Sequence, residues 1–233
     1  MPKLLASVAS LDEAALALDL GADILDLKNP AEGALGAWPV DELRLAVARF
    51  GGRRPLSATT GDLPPVPGLV VPRAEAVAGA GVDYVKVGLF AGSDLPALVA
   101  ALAPLARRCR LVAVLMADQR PDVGLVPHLA DAGFAGAMLD TADKRRGGLR
   151  AHMDDGALTG FVAATRRRGL LCGLAGSLGV ADIGPLTALE PDYLGFRGAL
   201  CAGGREGVLD PARFAAVRAA LDPAVSPSAR AVA

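Results

Sequence analysis

Ala22-Asp23-Ile24-Leu25-Asp26-Leu27-Lys28 is an apolar run of strand length that opens on an aspartate and carries charge again at 26 and 28. The same opening recurs at Val82-Asp83-Tyr84 and Pro191-Asp192-Tyr193, each time just after a stretch with helical spacing of apolar residues. Working outward from these three anchors, short apolar strands fall at residues 4–8, 23–28, 55–59, 83–87, 111–116, 136–140, 170–175 and 193–197. Helical periodicity fills the gaps, near 11–21, 40–50, 72–80, 95–107, 123–132, 155–168 and 180–189. A last helix starts at an Asp210 cap with Pro211 at its first position. Ser10 and Glu13 have the spacing of a capping box at the first helix. Eight strands, each followed by a helix, predict an α/β fold, a single (β/α)8 TIM barrel over residues 1–222. An open doubly wound sheet is the alternative, but no Gly-x-Gly-x-x-Gly turn follows the first strand. Residues 223–233 are rich in Pro, Ser and Ala and are expected to form a flexible tail.

Composition narrows the class of function. The 233 residues carry 24 basic and 25 acidic side chains, a net charge of −1. Nucleic-acid binding depends on clustered cations, so a nucleic-acid partner is not expected. The longest apolar run, around 95–106, is broken by proline and too short to span a bilayer, and the amino terminus lacks a signal-peptide pattern. A cytoplasmic protein without a membrane partner is expected. The cysteines Cys109, Cys172 and Cys201 are too scattered for a disulfide framework or a zinc cluster. Hydrophobic residues make up 52% of the chain but aromatics only 4%, so the core must rest on Ala, Val and Leu.

Only four of the 24 basic residues are lysines: Lys3, Lys28, Lys86 and Lys144. Arg serves as well as Lys for a solvated charge, but only Lys readily sheds a proton to become a nucleophile or base. Barrel enzymes place their chemistry at the carboxyl ends of the strands. Alternation puts Asp26 and Lys28 on one face of the second strand, pointing inward if Leu25 and Leu27 point out. Lys28 then ends strand two, Lys86 lies near the end of strand four, Asp140 ends strand six and Lys144 follows in the next loop. A single lysine at a strand end would read as a solvated rim residue. Three at one rim, beside two carboxylates in apolar strands, suggest crowded amines whose pKa is driven down, and hence Schiff-base chemistry on a carbonyl.

A phosphate site is the second expectation. Gly176-Ser177 follows strand seven and Arg197-Gly198 closes strand eight, before the loop Cys201-Ala202-Gly203-Gly204-Arg205. Barrels commonly hold phosphate on backbone amides at these two loops, so Gly176, Ser177, Arg197, Gly198, Gly203 and Gly204 are candidate ligands. The cationic loop with Lys144, Arg145 and Arg146 is either a second phosphate contact, a lid, or simply solvated. His128 and His152 lack metal-ligand spacing, and Cys172 reads as a core residue. No metal and no cofactor is indicated. The expected partner is a small phosphosugar substrate, and a homo-oligomer is expected because such barrels often self-associate.

The segments from 21 to 30 and 32 to 37, Ser57-Ala58-Thr59-Thr60-Gly61-Asp62, and Asp83-Tyr84-Val85-Lys86-Val87-Gly88-Leu89 together resemble the (5-formylfuran-3-yl)methyl phosphate synthase family. The likeness continues through Ala137-Met138-Leu139-Asp140-Thr141-Ala142 with Lys144, Leu174-Ala175-Gly176-Ser177, and Arg197-Gly198-Ala199 with Cys201 and Gly203-Gly204. It spans strand two to strand eight. The resemblance implies a barrel lyase that joins two molecules of glyceraldehyde 3-phosphate into a furan aldehyde for a methanofuran-type cofactor, losing phosphate and water. It also implies that Lys28 forms the Schiff base, that Lys86 transfers protons, and that Asp140 and Lys144 assist. Ala202 stands where the family pattern has a basic residue. The residues by themselves leave open a Schiff-base aldolase or isomerase acting on triose phosphates, or a non-catalytic phosphosugar-binding barrel.

Overall fold

The computed structural model describes residues 1–92 and 94–222, so the stretch expected to be a flexible tail lies outside the described residues. Strands β1 (Lys3–Val8), β2 (Ile24–Leu27), β3 (Leu56–Thr59), β4 (Tyr84–Leu89), β5 (Leu111–Met116), β6 (Gly136–Asp140), β7 (Leu171–Leu174) and β8 (Tyr193–Phe196) form a closed barrel in that order. Every neighbouring pair is parallel, and β8 returns to β1 with Lys3 opposite Tyr193 and Ala6 opposite Phe196. That closure excludes the open-sheet alternative. Helices α1 (Leu11–Asp19), α2 (Val40–Phe50), α3 (Pro67–Ala78), α4 (Leu95–Ala106), α5 (Leu125–Ala132), α6 (Leu149–His152), α7 (Asp155–Arg167), α8 (Val180–Thr187) and α9 (Pro211–Leu221) connect and surround the strands. No helix among the described residues is long and apolar enough to cross a membrane.

Strand alternation sorts the core into two shells. Outward residues such as Leu25, Leu27, Val85, Val87, Ala137 and Leu139 pack with the helices in one large apolar cluster. Inward residues Leu5, Ile24, Val112, Val114, Met138 and Tyr193 form a smaller one inside the barrel. With few aromatics to bring bulk, the outer shell is built from close-fitting Leu, Val and Ala, as the composition required.

Three local readings need correcting. The helix expected at 72–80 starts five residues earlier, at Pro67; Pro72 lies inside it, giving up one hydrogen bond rather than starting the helix. The capping box at α1 is only half made. Ser10 accepts from the Glu13 amide, but the Glu13 carboxylate accepts from Ala9 N and is drawn to Arg197. Residues 201–209 fold as a two-stranded hairpin, β9 (Cys201–Ala202) and β10 (Val208–Leu209), which no periodicity announced.

The recurring aspartates explain how the amino-terminal rim is fastened. The carboxylates of Asp23, Asp83 and Asp192 accept the backbone N–H of Leu4, Leu56 and Cys172 at 2.8, 2.8 and 2.7 Å. Each aspartate amide also donates to the carbonyl of that same residue on the preceding strand. The fourth equivalent place holds Ala135, which keeps only the main-chain half, donating to Leu111 O. Of the four pairs β1–β2, β3–β4, β5–β6 and β7–β8, three are therefore stapled in this way, on the face opposite the candidate site. Replacing Asp83 with Ala strands the Leu56 amide and should cost about 1–3 kcal/mol in a urea unfolding titration. The chemistry at the far rim should be unaffected.

Candidate functional site

Register places three polar side chains of neighbouring strands side by side inside the barrel, and a fourth reaches them from two residues further along its strand. Ser7 on β1 is opposite Asp26 on β2 and Asp26 is opposite Ser57 on β3, while Lys86 on β4, opposite Thr59, reaches Asp26 with its long side chain. Asp26 is fully buried and receives three donors: Ser7 Oγ at 2.9 Å, Ser57 Oγ at 2.7 Å and Lys86 Nζ at 2.9 Å. Burial works to raise the Asp26 pKa, but Lys86, Lys28 and the Ser57 hydroxyl together hold it below the ordinary carboxylate value.

A second carboxylate organises the opposite side. Asp140, at the end of β6, accepts from Lys144 Nζ and from the Thr141 amide, and its other oxygen lies 3.8 Å from Lys28 Nζ. Lys144 reaches back one turn and also donates to Thr141 Oγ1 at 3.1 Å. Burial again pushes the carboxyl pKa up, yet Lys144 and Lys28 outweigh it and bring Asp140 down to about 2.

The sum of charges decides the chemistry. Two carboxylates face three amines, so one amine lacks a full counterion. Lys28, buried and without a close carboxylate of its own, bears the consequence. Burial takes it down from 10.5 to about 8; Asp140 and Asp26 support its charge while Lys86 and Lys144 oppose it. A usable fraction of neutral amine near pH 8 is the requirement for a nucleophilic lysine.

These groups open into a cavity of about 410 Å³ whose floor holds Lys28, Lys86, Asp140 and Lys144. One wall is the turn 176–179 ahead of α8, and the other is Gly198, Ala199 and Arg205. Ser177 adopts a left-handed conformation (φ 50°) beside Gly176 (φ 110°), where an added Cβ would lie 3.1 Å from Thr141. Gly176 O accepts from Leu149 N, which anchors the turn to α6. Among the described residues, the amides of Ser177, Leu178, Gly198 and Ala199 have no protein acceptor, a set of donors suited to phosphate oxygens.

Sequence reasoning brought Lys28, Lys86, Asp140, Lys144, Gly176, Ser177 and Gly198 to this cavity, with Asp26 immediately behind Lys86. It placed other residues differently from the structure. Arg197 also borders the cavity, but it gives its Nε to Arg205 O and its terminal nitrogens to Ser7 O, Gly207 O and Glu13, which uses all five of its donors. It braces the loop after β8 rather than offering a hydrogen bond to an anion. Gly203 and Gly204, with φ of +79° and +82°, make the β9–β10 turn and do not line the cavity. Arg145 is paired with Asp143 on the surface, and Cys172 is a buried thiol pushed up to about 12, facing the outer shell. Ser7, Ser57 and Arg205 were missed as site residues. The two serines carried a signal: a small hydroxyl in phase with Asp26 on each adjacent strand.

Residues 4–218 match the family model described as 4-HFC-P synthase. The chain is 36% identical over 222 residues to the (5-formylfuran-3-yl)methyl phosphate synthase of Archaeoglobus fulgidus, covering 89% of this chain and 94% of that protein. It is 38% identical over 216 residues to the enzyme of the same name from Methanothermobacter thermautotrophicus, covering 86% and 90%. A protein of Methylorubrum extorquens is 45% identical over 218 residues, covering 92% and 89%. Among solved structures, phosphoribosyl anthranilate isomerase from Thermotoga maritima superposes with a TM-score of 0.69 at 13% identity, over 96% of this chain and 100% of that one. The 3-keto-L-gulonate-6-phosphate decarboxylase of Vibrio cholerae gives 0.65 at 15%, over 95% and 98%. At that identity the two structures speak for the barrel alone.

Asp140→Asn removes the counterion of the buried Lys28 and the half-buried Lys144 and should cost about 3 kcal/mol at neutral pH. Because the Asp140 pKa is lowered from 3.8 to about 2, the stability it supplies is full above pH 4 and is lost as pH falls through 2. Denaturation midpoints of wild type and variant should therefore converge over that interval.

Proposed function

The chain belongs to the 4-HFC-P synthase family, and on that premise we propose that it condenses two molecules of glyceraldehyde 3-phosphate through a Schiff base on Lys28. The product is (5-formylfuran-3-yl)methyl phosphate, with one phosphate and water released, for a methanofuran-type cofactor. The observation that carries this reading is the buried Lys28 amine, brought down to about 8 among two carboxylates and two further lysines.

Charge bookkeeping gives the steps a consistent order. Neutral Lys28 attacks an aldehyde carbon, and Lys86 supplies the proton with which the carbinolamine loses water. The iminium now bears the positive charge and Lys86 is neutral, so the site has the same total charge as before. Lys86 then takes the proton from the carbon next to the iminium, the electron pair forms an enamine, and the charge returns to Lys86. Asp26, fixed by Ser7 and Ser57, holds the Lys86 nitrogen in place for both transfers. Asp140 and Lys144 stay paired beside the reacting carbon, suited to protonating departing oxygen. The enamine is the nucleophile for the second triose, and loss of phosphate and water drives aromatisation. Amides of the turn at Ser177 and of Gly198 and Ala199 would hold a phosphate, and the cavity of about 410 Å³ has room for two small phosphosugars.

Lys28→Arg keeps a cation but removes the titratable amine. It should abolish turnover, scored as the near-ultraviolet absorbance of a furan aldehyde, while leaving the unfolding transition cooperative. Formation of dihydroxyacetone phosphate or a hexose bisphosphate alone by the wild type would contradict the synthase reading. The rate of imine formation should rise with pH and level off above about 8, because the protonated amine below that value is inert. A flat profile between pH 6 and 9 in rapid-quench borohydride trapping would contradict Lys28 as the nucleophile.

A further inference from the structure

A second cavity, of about 110 Å³, lies in the barrel core beneath the reaction chamber. It is lined by Ser57, Tyr84, Lys86 and Tyr193, with Lys3 and Asp192 where it meets the amino-terminal rim. The interior of a (β/α)8 barrel is ordinarily filled by layers of side chains, so a hollow here is unexpected. Its position matters more than its size. Lys86 lines both this cavity and the chamber above, and is itself only 2% exposed. The Lys86 side chain thus lies between two spaces, one at the substrate side and one leading to the opposite face of the protein.

We infer that the lower cavity is a water-filled exit through which the proton that Lys86 takes from substrate reaches solvent at the amino-terminal face. This rests on the proposed role of Lys86 as the proton acceptor. The lining suits water: a buried water needs two to four polar partners, and the cavity offers a serine and two tyrosine hydroxyls besides the Lys86 amine. Its volume holds several water molecules. Ser57 lines the cavity and donates to Asp26 at 2.7 Å, and Asp26 accepts from Lys86 at 2.9 Å, so the hydrogen-bonded network that positions the amine extends to the cavity wall. Once the upper chamber is filled by phosphotriose, water is displaced from the substrate side of Lys86. The lower side is then its remaining contact with solvent. In the transfer, the C–H bond next to the iminium breaks, its electrons enter the enamine, and the proton becomes an N–H of Lys86. The resulting ammonium passes that proton to a cavity water, which relays it to bulk between Lys3 and Asp192, and takes a solvent proton back by the same route, so that Lys86 stands charged against Asp26 as it did before the cycle.

The test uses glyceraldehyde 3-phosphate deuterated at carbon 2, in ordinary water, and compares loss of label from recovered substrate with the borohydride-trapped adduct on Lys28. Wild type should wash the label out. Ile24→Phe and Val112→Phe place a ring in the lower cavity, outside the reaction chamber, and should leave the adduct at its wild-type level while slowing washout at least about tenfold. Leu171→Phe, at the half-exposed rim of the same cavity, does the same from a position that tolerates bulk if either core variant fails to fold. A folded variant that forms the adduct and washes out label at the wild-type rate overturns the exit. So does a wild type that retains its label, or a crystal structure with no ordered water between Lys3 and Lys86. Absence of any wild-type adduct on Lys28 would instead overturn the Schiff-base reading beneath it, so the two failures are distinguishable.

Discussion

Three amines and two carboxylates confined in a closed barrel cannot all be charged and all be paired. A buried ion is tolerated only against a counterion, and here Asp26 is taken by Lys86 and Asp140 by Lys144. The unmatched proton falls on Lys28, the amine with only a 3.8 Å approach to a carboxylate. The lowered pKa of Lys28 therefore arises from burial together with the count and spacing of charges, without any exceptional group. In the proposed reaction, moving one positive charge among Lys28, its iminium and Lys86 leaves that count unchanged through imine formation and proton abstraction.

The scaffold divides its polar residues by face. At the amino-terminal rim, Asp23, Asp83 and Asp192 accept main-chain N–H groups and fasten strand to strand. At the carboxyl-terminal rim, Asp26 and Asp140 accept from lysines and hold the amines of the candidate site. Arg197 joins the two tasks: by satisfying Glu13 and the carbonyls of Ser7, Arg205 and Gly207, it fixes the loop whose amides border the chamber. Arg205 in turn donates to Gly33 O, linking that loop to the one that follows Lys28.

Much of this was legible because alternation and position are written in one dimension. The period-two pattern told which way Asp26 and Lys28 point, and the carboxyl ends of the strands marked the face that holds the candidate site. Scarce lysine in an arginine-rich chain singled out three amines that the fold gathers in one cavity. What escaped depends on partners distant in the chain. Arg197 looked like an anion ligand because nothing in its neighbourhood of sequence reveals Glu13, 184 residues away, as its partner. Gly203 and Gly204 looked like a phosphate loop because a hairpin turn and a phosphate turn ask for the same backbone freedom. Ser7 and Ser57 are ordinary strand residues until register sets them on either side of Asp26. The lower cavity is a property of packing, and no single residue encodes it.

The protonation of one nitrogen decides whether Lys28 can act as a nucleophile. A chain with four lysines gives a lysine-labelled carbon–nitrogen NMR spectrum simple enough to follow each amine separately, with Lys28→Arg identifying the signal of interest. Titration of the folded, substrate-free protein should find the Lys28 signal changing near pH 8. A Lys28 amine that stays protonated up to its ordinary value of 10.5 would contradict the charge-count origin of its reactivity.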